Sequence, residues 1–242
     1  MDWLHWVGRE YYTQKSFIKE ANKYDVTRRV SLQVAKQMSW GDRVFCAMLN
    51  RKKGEIFGHF TITSLSGLSG EVIQKVNEET EVTMTDPGGE KVEKGCGEYT
   101  SGPTFQTEAS LEEVVEIAQP LKEEEKDIGK PMVGGTFQKL EPITLIDIPF
   151  RQGFRTINGK ALLHSAECNG RRVQGQFYPD KDEAEPLLTQ SMRESGLLQI
   201  LENYKKKVIG EKAVCPLYKD SAFTVKAVDE HKGQNMLQLL LF

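Results

Sequence analysis

The chain has 242 residues, of which 38% are hydrophobic and 28% are charged, and its formal net charge is −3. This composition is typical of a folded protein with a real core and a well-solvated surface. No run approaches the roughly 18 consecutive apolar residues that a bilayer-spanning helix needs, so we expect no membrane association.

The features that report on the cellular compartment favour the cytoplasm. The first residues lack the basic start and the apolar run of a secretory signal. The four cysteines are scattered and form no CxxC pair, which is typical of reduced thiols rather than of a disulfide framework. We therefore expect a cytoplasmic protein.

Charge is distributed unevenly along the chain. Residues 1–60 carry a net charge of +5, residues 61–130 carry −10, and residues 131–242 carry +2. A basic segment followed by an acidic one accompanies the binding of polyanions, but chance clustering of solvated surface charge gives the same pattern. Charge alone leaves both interpretations open.

The first part of the chain predicts an aromatic strand, a helical crossover and a hairpin. Residues 3–11 are rich in aromatic side chains, and Thr13 and Ser31 are placed to cap two short amphipathic helices. The apolar run at 44–49 and the alternating pattern at 55–63 predict two paired strands.

The acidic part of the chain shows less periodicity. Residues 64–70 predict a Gly/Ser loop, and residues 77–109 predict a long excursion. The Ser-Leu-Glu-Glu sequence at 110–113 is a capping box, so a helix begins there and is expected to end at Pro120. Residues 122–130 read as a charged linker.

The remaining sequence alternates between strand and helix patterns. Residues 137–150 favour strand structure, and Asn158-Gly159 is the strongest short-range hairpin signal in the chain. Residues 186–207 carry an apolar stripe at helical spacing. Residues 223–242 predict a terminal hairpin, which must be buried because its last residues are strongly apolar.

The order of these elements resembles the PUA-like superfamily, small barrels that include the ASCH and EVE types. Trp40-Gly41-Asp42-Arg43-Val44 matches the strand motif of these folds, and Ile56-Phe57-Gly58-His59-Phe60 matches the strand that follows it. The stretch at 140–145 is similar to their last barrel strand. The resemblance covers residues 1–65 and extends to 133–150.

The resemblance implies an α+β fold. Residues 1–150 would form a small PUA-like β-barrel with crossover helices and an acidic insertion at about 66–130. Residues 151–242 would add a C-terminal helix and a β-hairpin, either as an extension or as a second small domain. PUA-like relatives hold a base in a pocket near the first strand and the crossover.

Aromatic and basic side chains are concentrated near the start of the chain. Bases stack on aromatic rings, and Lys and Arg neutralise phosphates. Two adjacent guanidiniums at Arg28 and Arg29, in a predicted loop, can fork one phosphate. The alternative is that the indoles pack in the core and that the arginines pair with acids. The residues that we predict to bind a nucleic acid or nucleotide are Trp3, Trp6, Arg9, Lys15, Arg28, Arg29, Trp40, Arg151 and Arg155.

Catalytic and metal-binding motifs are not found in the sequence. It contains no GxxxxGK[ST], GxGxxG, GxSxG or HExxH pattern. His164 and Cys168 have metal-compatible spacing only on a helix, whereas the local pattern favours a strand. The lysines at 205–207 read as charges that cap a helix end. We therefore expect no metal, no cofactor and no secured enzymatic activity.

Three functions remain as hypotheses. The first is non-catalytic binding of RNA, DNA or a modified nucleotide by the aromatic and basic pocket. The second is a nucleic-acid-processing or nucleoside hydrolase, because some ASCH relatives use a Lys, a Thr and a Glu, for which Lys15, Thr13 and Glu10 are candidates here. The third is an assembly component of a mobile genetic element that contacts a protein partner through residues 77–109.

Overall fold

The computed structural model shows a mixture of helices and strands, so the α+β class predicted from the sequence is confirmed. Within the described stretches, no helix has the length and apolar character needed to cross a lipid bilayer. The structure describes residues 1–7, 14–21, 25–50, 53–80, 91–93, 98–100, 110–145, 153–173, 176–179, 190–216 and 218–226.

The chain divides into two compact units. Unit 1 comprises Met1–Pro142 and Phe150–Ile157, and unit 2 comprises Ile143–Pro149 and Asn158–Phe242. The elements of unit 1 are, in chain order, β1 (Asp2–Trp6), α1 (Gln14–Ala21), β2 (Val26–Arg29), α2 (Leu32–Ala35), β3 (Arg43–Asn50), β4 (Lys53–Thr61), β5 (Ser64–Leu68), α3 (Gly70–Thr80), β6 (Lys91–Glu93), β7 (Glu98–Thr100), α4 (Leu111–Glu123), β8 (Gly129–Gly135), β9 (Phe137–Leu145), whose end belongs to unit 2, and β10 (Phe154–Thr156).

The larger sheet of unit 1 has the strand order β10-β1-β3-β4-β9. Strand β1 runs parallel to β3, with Trp3 opposite Val44, and antiparallel to β10. Parallel neighbours need a crossover connection, and α1, β2 and α2 form it. β3 and β4 make the predicted antiparallel hairpin. The aromatic strand, the helical crossover and the hairpin expected from the sequence are therefore confirmed.

The smaller sheet has the order β2-β8-β5, with antiparallel pairing throughout. Two strands pass from one sheet into the other, since β4 leads into β5 and β8 leads into β9 after short bends. At the bend, Thr63 donates a backbone hydrogen bond of 2.9 Å to Gly134. A Cβ atom on Gly135 would lie 1.9 Å from the carbonyl oxygen of Thr61, so only glycine allows this approach.

The core of unit 1 is one hydrophobic cluster to which both sheets contribute. Val44 and Phe60 come from the larger sheet, Val133 comes from the smaller sheet, and Phe17 and Leu111 come from α1 and α4. Helix α4 is part of this core, because its inward stripe is buried throughout. The predicted acidic insertion therefore supplies core residues to unit 1.

Two local predictions in this region are wrong. The predicted loop at 64–70 contains strand β5, in which Leu65 is buried. Pro120 does not end α4, which continues to Glu123. Proline removes the backbone hydrogen bond to the residue four positions earlier. That residue is Glu116, which is exposed, so water can satisfy its carbonyl.

The predicted excursion at 77–109 is described only in part. Helix α3 extends to Thr80, and β6 pairs antiparallel with β7. Its remaining residues lie outside the described ones. Where unit 1 is described, its strands form open sheets and do not close into a barrel.

The described part of unit 2 contains two antiparallel strand pairs and three helices. They are α5 (Gly159–Gly170), β11 (Arg172–Val173), β12 (Gln176–Phe177), α6 (Gln190–Glu194), α7 (Leu197–Val208), β13 (Lys212–Cys215) and β14 (Tyr218–Thr224). The helix predicted over 186–207 is confirmed for α6 and α7, which are separated at Gly196, a left-handed residue with φ 72°. Strand β14 pairs with β13, whereas the predicted terminal hairpin used residues beyond 226, outside the described ones.

The predicted hairpin at Asn158-Gly159 is wrong, because α5 begins there. The side chain of Asn158 accepts a hydrogen bond of 2.9 Å from the backbone N–H of Ala161, as a helix cap does. A Cβ atom on Gly159 would lie 2.1 Å from Cβ of Tyr204 on α7. Asn158 therefore caps a helix, and Gly159 allows close contact with α7, whereas the sequence pattern predicted a tight turn.

Candidate functional site

The tryptophans predicted to stack on bases lie inside unit 1. Trp3 and Trp6 are each only 2% exposed, on alternate faces of β1. The indole Nε1 of Trp3 donates a hydrogen bond of 2.9 Å to buried Asp42. Trp40 is half-buried and packs against the core cluster. The rings of Trp3 and Trp6 are thus closed to a stacking base in this conformation.

The described basic residues of this set lie on three different elements, α1, β2 and β10. Lys15 and Arg29 are exposed on α1 and β2. Arg155 on β10 lies opposite Leu4 of β1, and Arg9 and Arg151 fall outside the described residues.

Arg28 and Arg29 lie on strand β2 rather than in the predicted loop. Neighbouring residues of a strand point to opposite faces. The two guanidiniums therefore cannot fork one phosphate together, which corrects the prediction. Arg29 is exposed, whereas Arg28 is only partly exposed.

Arg28 occupies an inward position of the smaller sheet. Val26 and Val30, two residues away on each side, belong to the core cluster, as does Val133 opposite on β8. The guanidinium carbon of Arg28 lies 4.5 Å from the centroid of the Phe17 ring. Its Nη1 donates a 2.7 Å hydrogen bond to the carbonyl of Thr27. A charged group is thus held at a position where apolar side chains would be expected.

Two of the three guanidinium nitrogens of Arg28 lack a partner. Nε and Nη2 are shielded from solvent and make no hydrogen bond. These are the two donors on one edge of the guanidinium, the edge that binds paired acceptors such as phosphate oxygens or a base edge.

His5 on β1 is the second member of the site. It pairs with Cys46 of β3 and with Phe154 of β10, so the three side chains share one face of the larger sheet. The imidazole packs on the Phe154 ring, with centroids 4.6 Å apart. Its Nδ1 atom is buried and has no partner.

Burial, and next the positive charge of Arg28, lower the pKa of His5 from 6.5 to about 3. The imidazole is therefore neutral at pH 7. A neutral imidazole has one donor and one acceptor nitrogen, so Nδ1 is an acceptor in the tautomer that carries its proton on Nε2. Arg28 and His5 together offer two donors and one acceptor inside unit 1.

Cys46 completes what we call the Arg28 cluster, defined as Arg28, His5 and Cys46. The thiol is fully buried, and burial raises its pKa to about 12, although the charge of Arg28 acts in the opposite direction. A thiol in that state is a poor nucleophile. The cluster therefore contains neither a low-pKa thiol nor an imidazole that titrates near neutral pH.

Aromatic rings surround the cluster. Phe17 packs edge-on against Phe57 and Phe137, with ring centroids 5.2 and 5.3 Å apart. Gly58, which pairs with Cys46, leaves room for Phe137, because a Cβ atom there would lie 2.1 Å from the ring. The polar groups therefore lie in an aromatic, low-dielectric environment, in which electrostatic interactions are stronger than in water.

Two further local interpretations of the sequence concern His164 and the lysines at 205–207. His164 lies on helix α5, not on the predicted strand, yet no group of three or more metal-binding side chains occurs in the described part of the chain. Lys205 is 7% exposed and lies 2.6 Å from Glu167. It belongs to the interior of unit 2 rather than to a solvated helix end.

Comparisons with known protein families, with curated proteins and with solved structures give no match to this chain. A candidate site is therefore inferred only from the geometry of the described residues. Sequence reasoning found Arg28 but missed His5, Phe17 and Cys46. The available signal was strand alternation, which places a histidine between the buried residues Trp3 and Val7.

Proposed function

We propose that unit 1 is a PUA-like module that binds a nucleotide or a nucleic-acid segment without catalysis, and that Arg28 is its principal contact. The proposal is carried by one observation, the inward guanidinium whose Nε and Nη2 atoms have no partner. Shielding the donors of a charged group from water without supplying acceptors costs free energy. Such a cost is commonly retained where a ligand supplies the missing acceptors.

The neighbours of Arg28 narrow the class of ligand. The neutral Nδ1 of His5 accepts a hydrogen bond, so it favours a ligand that presents a donor beside its acceptors. The edge of a nucleobase combines donors and acceptors in this way, whereas inorganic phosphate at neutral pH offers mainly acceptors. Phe17 and Phe154 add aromatic surface next to the two polar groups.

The ligand must reach nitrogens that are shielded from solvent. The contact between Arg28 and Phe17 is a cation–π interaction worth about 0.5–2 kcal/mol. This energy is small compared with a charge-assisted, two-pronged hydrogen bond to a ligand. Binding is therefore expected to move Arg28 away from Phe17.

Titration calorimetry with the full chain tests the proposal. The probes are the four ribonucleoside monophosphates, inorganic phosphate, and single- and double-stranded oligonucleotides, each at two salt concentrations. We expect the full chain to bind a nucleotide or an oligonucleotide. In Arg28→Met, the affinity for that ligand should fall at least about tenfold. Arg193→Met is the control, because Arg193 is an exposed arginine on α6 that is not among the predicted binding residues.

Two results would count against the proposal. One is the absence of binding to all probes at low salt. The other is equal affinity in Arg28→Met and the unchanged chain. The hydrolase and assembly alternatives stay predictions, since Glu10, Thr13 and most of 77–109 lie outside the described residues.

A further inference from the structure

The three lysines in the last turn of α7 lie in different environments. Lys205 is 7% exposed, and its Nζ atom lies 2.6 Å from a carboxylate oxygen of Glu167. Lys206 and Lys207 are exposed. Within the described part of the chain, neither of these two lysines forms an ion pair. One lysine therefore pairs in the interior of unit 2, and the other two present their charge to solvent.

The turn that follows α7 brings two further lysines to the same end of unit 2. The backbone N–H of Gly210 donates a hydrogen bond of 3.0 Å to the carbonyl of Val225, and the N–H of Val225 donates one of 3.0 Å to the carbonyl of Glu211. These two bonds join the turn to the end of the β13–β14 hairpin. Lys212 and Lys226, the residues that follow Glu211 and Val225, are both exposed there. We call Lys206, Lys207, Lys212 and Lys226 the lysine patch.

The lysine patch carries more positive charge than the end of a helix requires. Cations stabilise the negative end of the helix dipole only within the last turn, whereas Lys212 and Lys226 lie outside α7. Glu211 is exposed among the lysines, and Glu202 is half-buried one turn before Lys206. Among the described residues, neither glutamate forms an ion pair. The patch therefore keeps a net positive charge at the surface.

We propose that the lysine patch binds the phosphate backbone of a nucleic acid, an inference that rests on the proposed function and adds a second contact surface to it. A lysine ammonium group binds phosphate as a point charge and does not depend on the base sequence. Each phosphate that a lysine neutralises releases condensed counterions, so each contact makes the affinity more salt-dependent. The patch would position the backbone and leave recognition of the base to Arg28.

A membrane surface is the alternative polyanionic partner. Two aliphatic residues beside the lysines, Ile209 and Val214, are 52% and 54% exposed, and basic residues next to apolar ones also occur in proteins that bind anionic lipids. However, even a myristoyl chain gives only marginal membrane binding, and two half-exposed aliphatic side chains offer less apolar area. A nucleic acid requires no apolar insertion, so it fits the patch better than a membrane does.

Fluorescence anisotropy of a labelled single strand and of its duplex, titrated with the full chain, tests the proposal. The affinity is measured between about 50 and 200 mM salt. Over this range, binding should weaken by about tenfold less in Lys206→Gln/Lys207→Gln than in the unchanged chain, because two phosphate contacts are lost. Lys206→Arg/Lys207→Arg keeps the charge and should keep the original salt dependence.

A matched control removes the same charge elsewhere. Lys122→Gln/Lys139→Gln changes two exposed lysines of unit 1 and should leave the salt dependence unaltered. Calorimetry with nucleoside monophosphates separates the two contact surfaces. Their affinity should be the same in Lys206→Gln/Lys207→Gln and in the unchanged chain, because the proposed contact with a mononucleotide is made by Arg28.

The possible outcomes distinguish the lysine patch from the Arg28 site. If oligonucleotides bind with the same salt dependence in Lys206→Gln/Lys207→Gln, the patch proposal is overturned and the proposed function stands. If oligonucleotide binding depends on the patch but Arg28→Met binds every probe normally, the patch stands and the role of Arg28 fails. Absence of all oligonucleotide binding at low salt overturns both. Binding only to vesicles of phosphatidylcholine and phosphatidylserine, lost in Lys206→Gln/Lys207→Gln, overturns the patch proposal in favour of a membrane.

Discussion

The guanidinium carbon of Arg28 lies 4.5 Å from the centre of the Phe17 ring, and this contact holds a positive charge on the core side of strand β2. The aromatic face partly compensates the loss of hydration but supplies no hydrogen-bond acceptor. In this arrangement, Nε and Nη2 of Arg28 have no hydrogen-bond partner. The contact therefore stabilises the side chain while leaving its binding capacity unused.

The first prediction separates binding from stability at Arg28. Replacing it with Met removes the partly shielded charge and keeps much of the apolar side chain. We expect the free energy of unfolding to stay within about 1 kcal/mol or to increase, since apolar replacements of buried charges are often neutral or stabilising. Urea unfolding followed by tryptophan fluorescence measures this in unit 1, which contains all three tryptophans. A loss above about 3 kcal/mol would indicate a structural arginine.

The second prediction concerns pH. The pKa of His5 is about 3 in the folded chain and 6.5 ordinarily, so below pH 6.5 the unfolded chain binds the extra proton. Stability is therefore present in full above pH 6.5 and is lost as the pH falls towards 3, by at most about 1.4 kcal/mol per pH unit. His5→Gln should flatten this dependence in unfolding experiments between pH 7 and pH 4. An unchanged slope in the variant would contradict the burial of the imidazole.

The third prediction concerns the packing beside the cluster. A Cβ atom at Gly58 would lie 2.1 Å from the Phe137 ring and 2.7 Å from the backbone oxygen of Gln138. Gly58→Ala should lower the free energy of unfolding by about 1–3 kcal/mol, as overpacking does. Gly70→Ala is the matched control, because nothing lies within 4 Å of a Cβ atom there. Equal stability of the two variants would contradict the predicted clash.

The fourth prediction concerns the interior of unit 2. Glu167 pairs with Arg171 at 3.0 Å and with Lys205 at 2.6 Å. Glu167→Gln removes the negative charge that pairs with both buried cations, so the free energy of unfolding should fall by about 3–5 kcal/mol. The loss of stability can be measured as faster amide hydrogen exchange in α5 and α7. Glu116→Gln, which breaks an exposed pair with Lys36, should change stability by less than about 1 kcal/mol.

Local patterns in the sequence were sufficient for elements that local interactions decide. The capping box at Ser110 and the cap at Ser31 form because the serine oxygen and the helix N–H groups are three residues apart. The β3–β4 hairpin follows from alternation along two adjacent strands. Asn158-Gly159 shows where local patterns are not sufficient, because the same two residues suit both a tight turn and the start of a helix. In the structure they start a helix, and Gly159 packs against Tyr204.

What the sequence determined by itself was the α+β class, the order of the first strands, and a concentration of aromatic and basic residues near the start of the chain. Only the tertiary structure decided which of those residues are accessible, since burial depends on partners distant in sequence. It enclosed Trp3 and Trp6, placed Arg28 on Phe17, and brought its charge close enough to His5 and Cys46 to affect both. The alternation of residues along a strand indicates which side chains share a face of the sheet. Which other elements cover that face depends on contacts between residues that are distant in sequence.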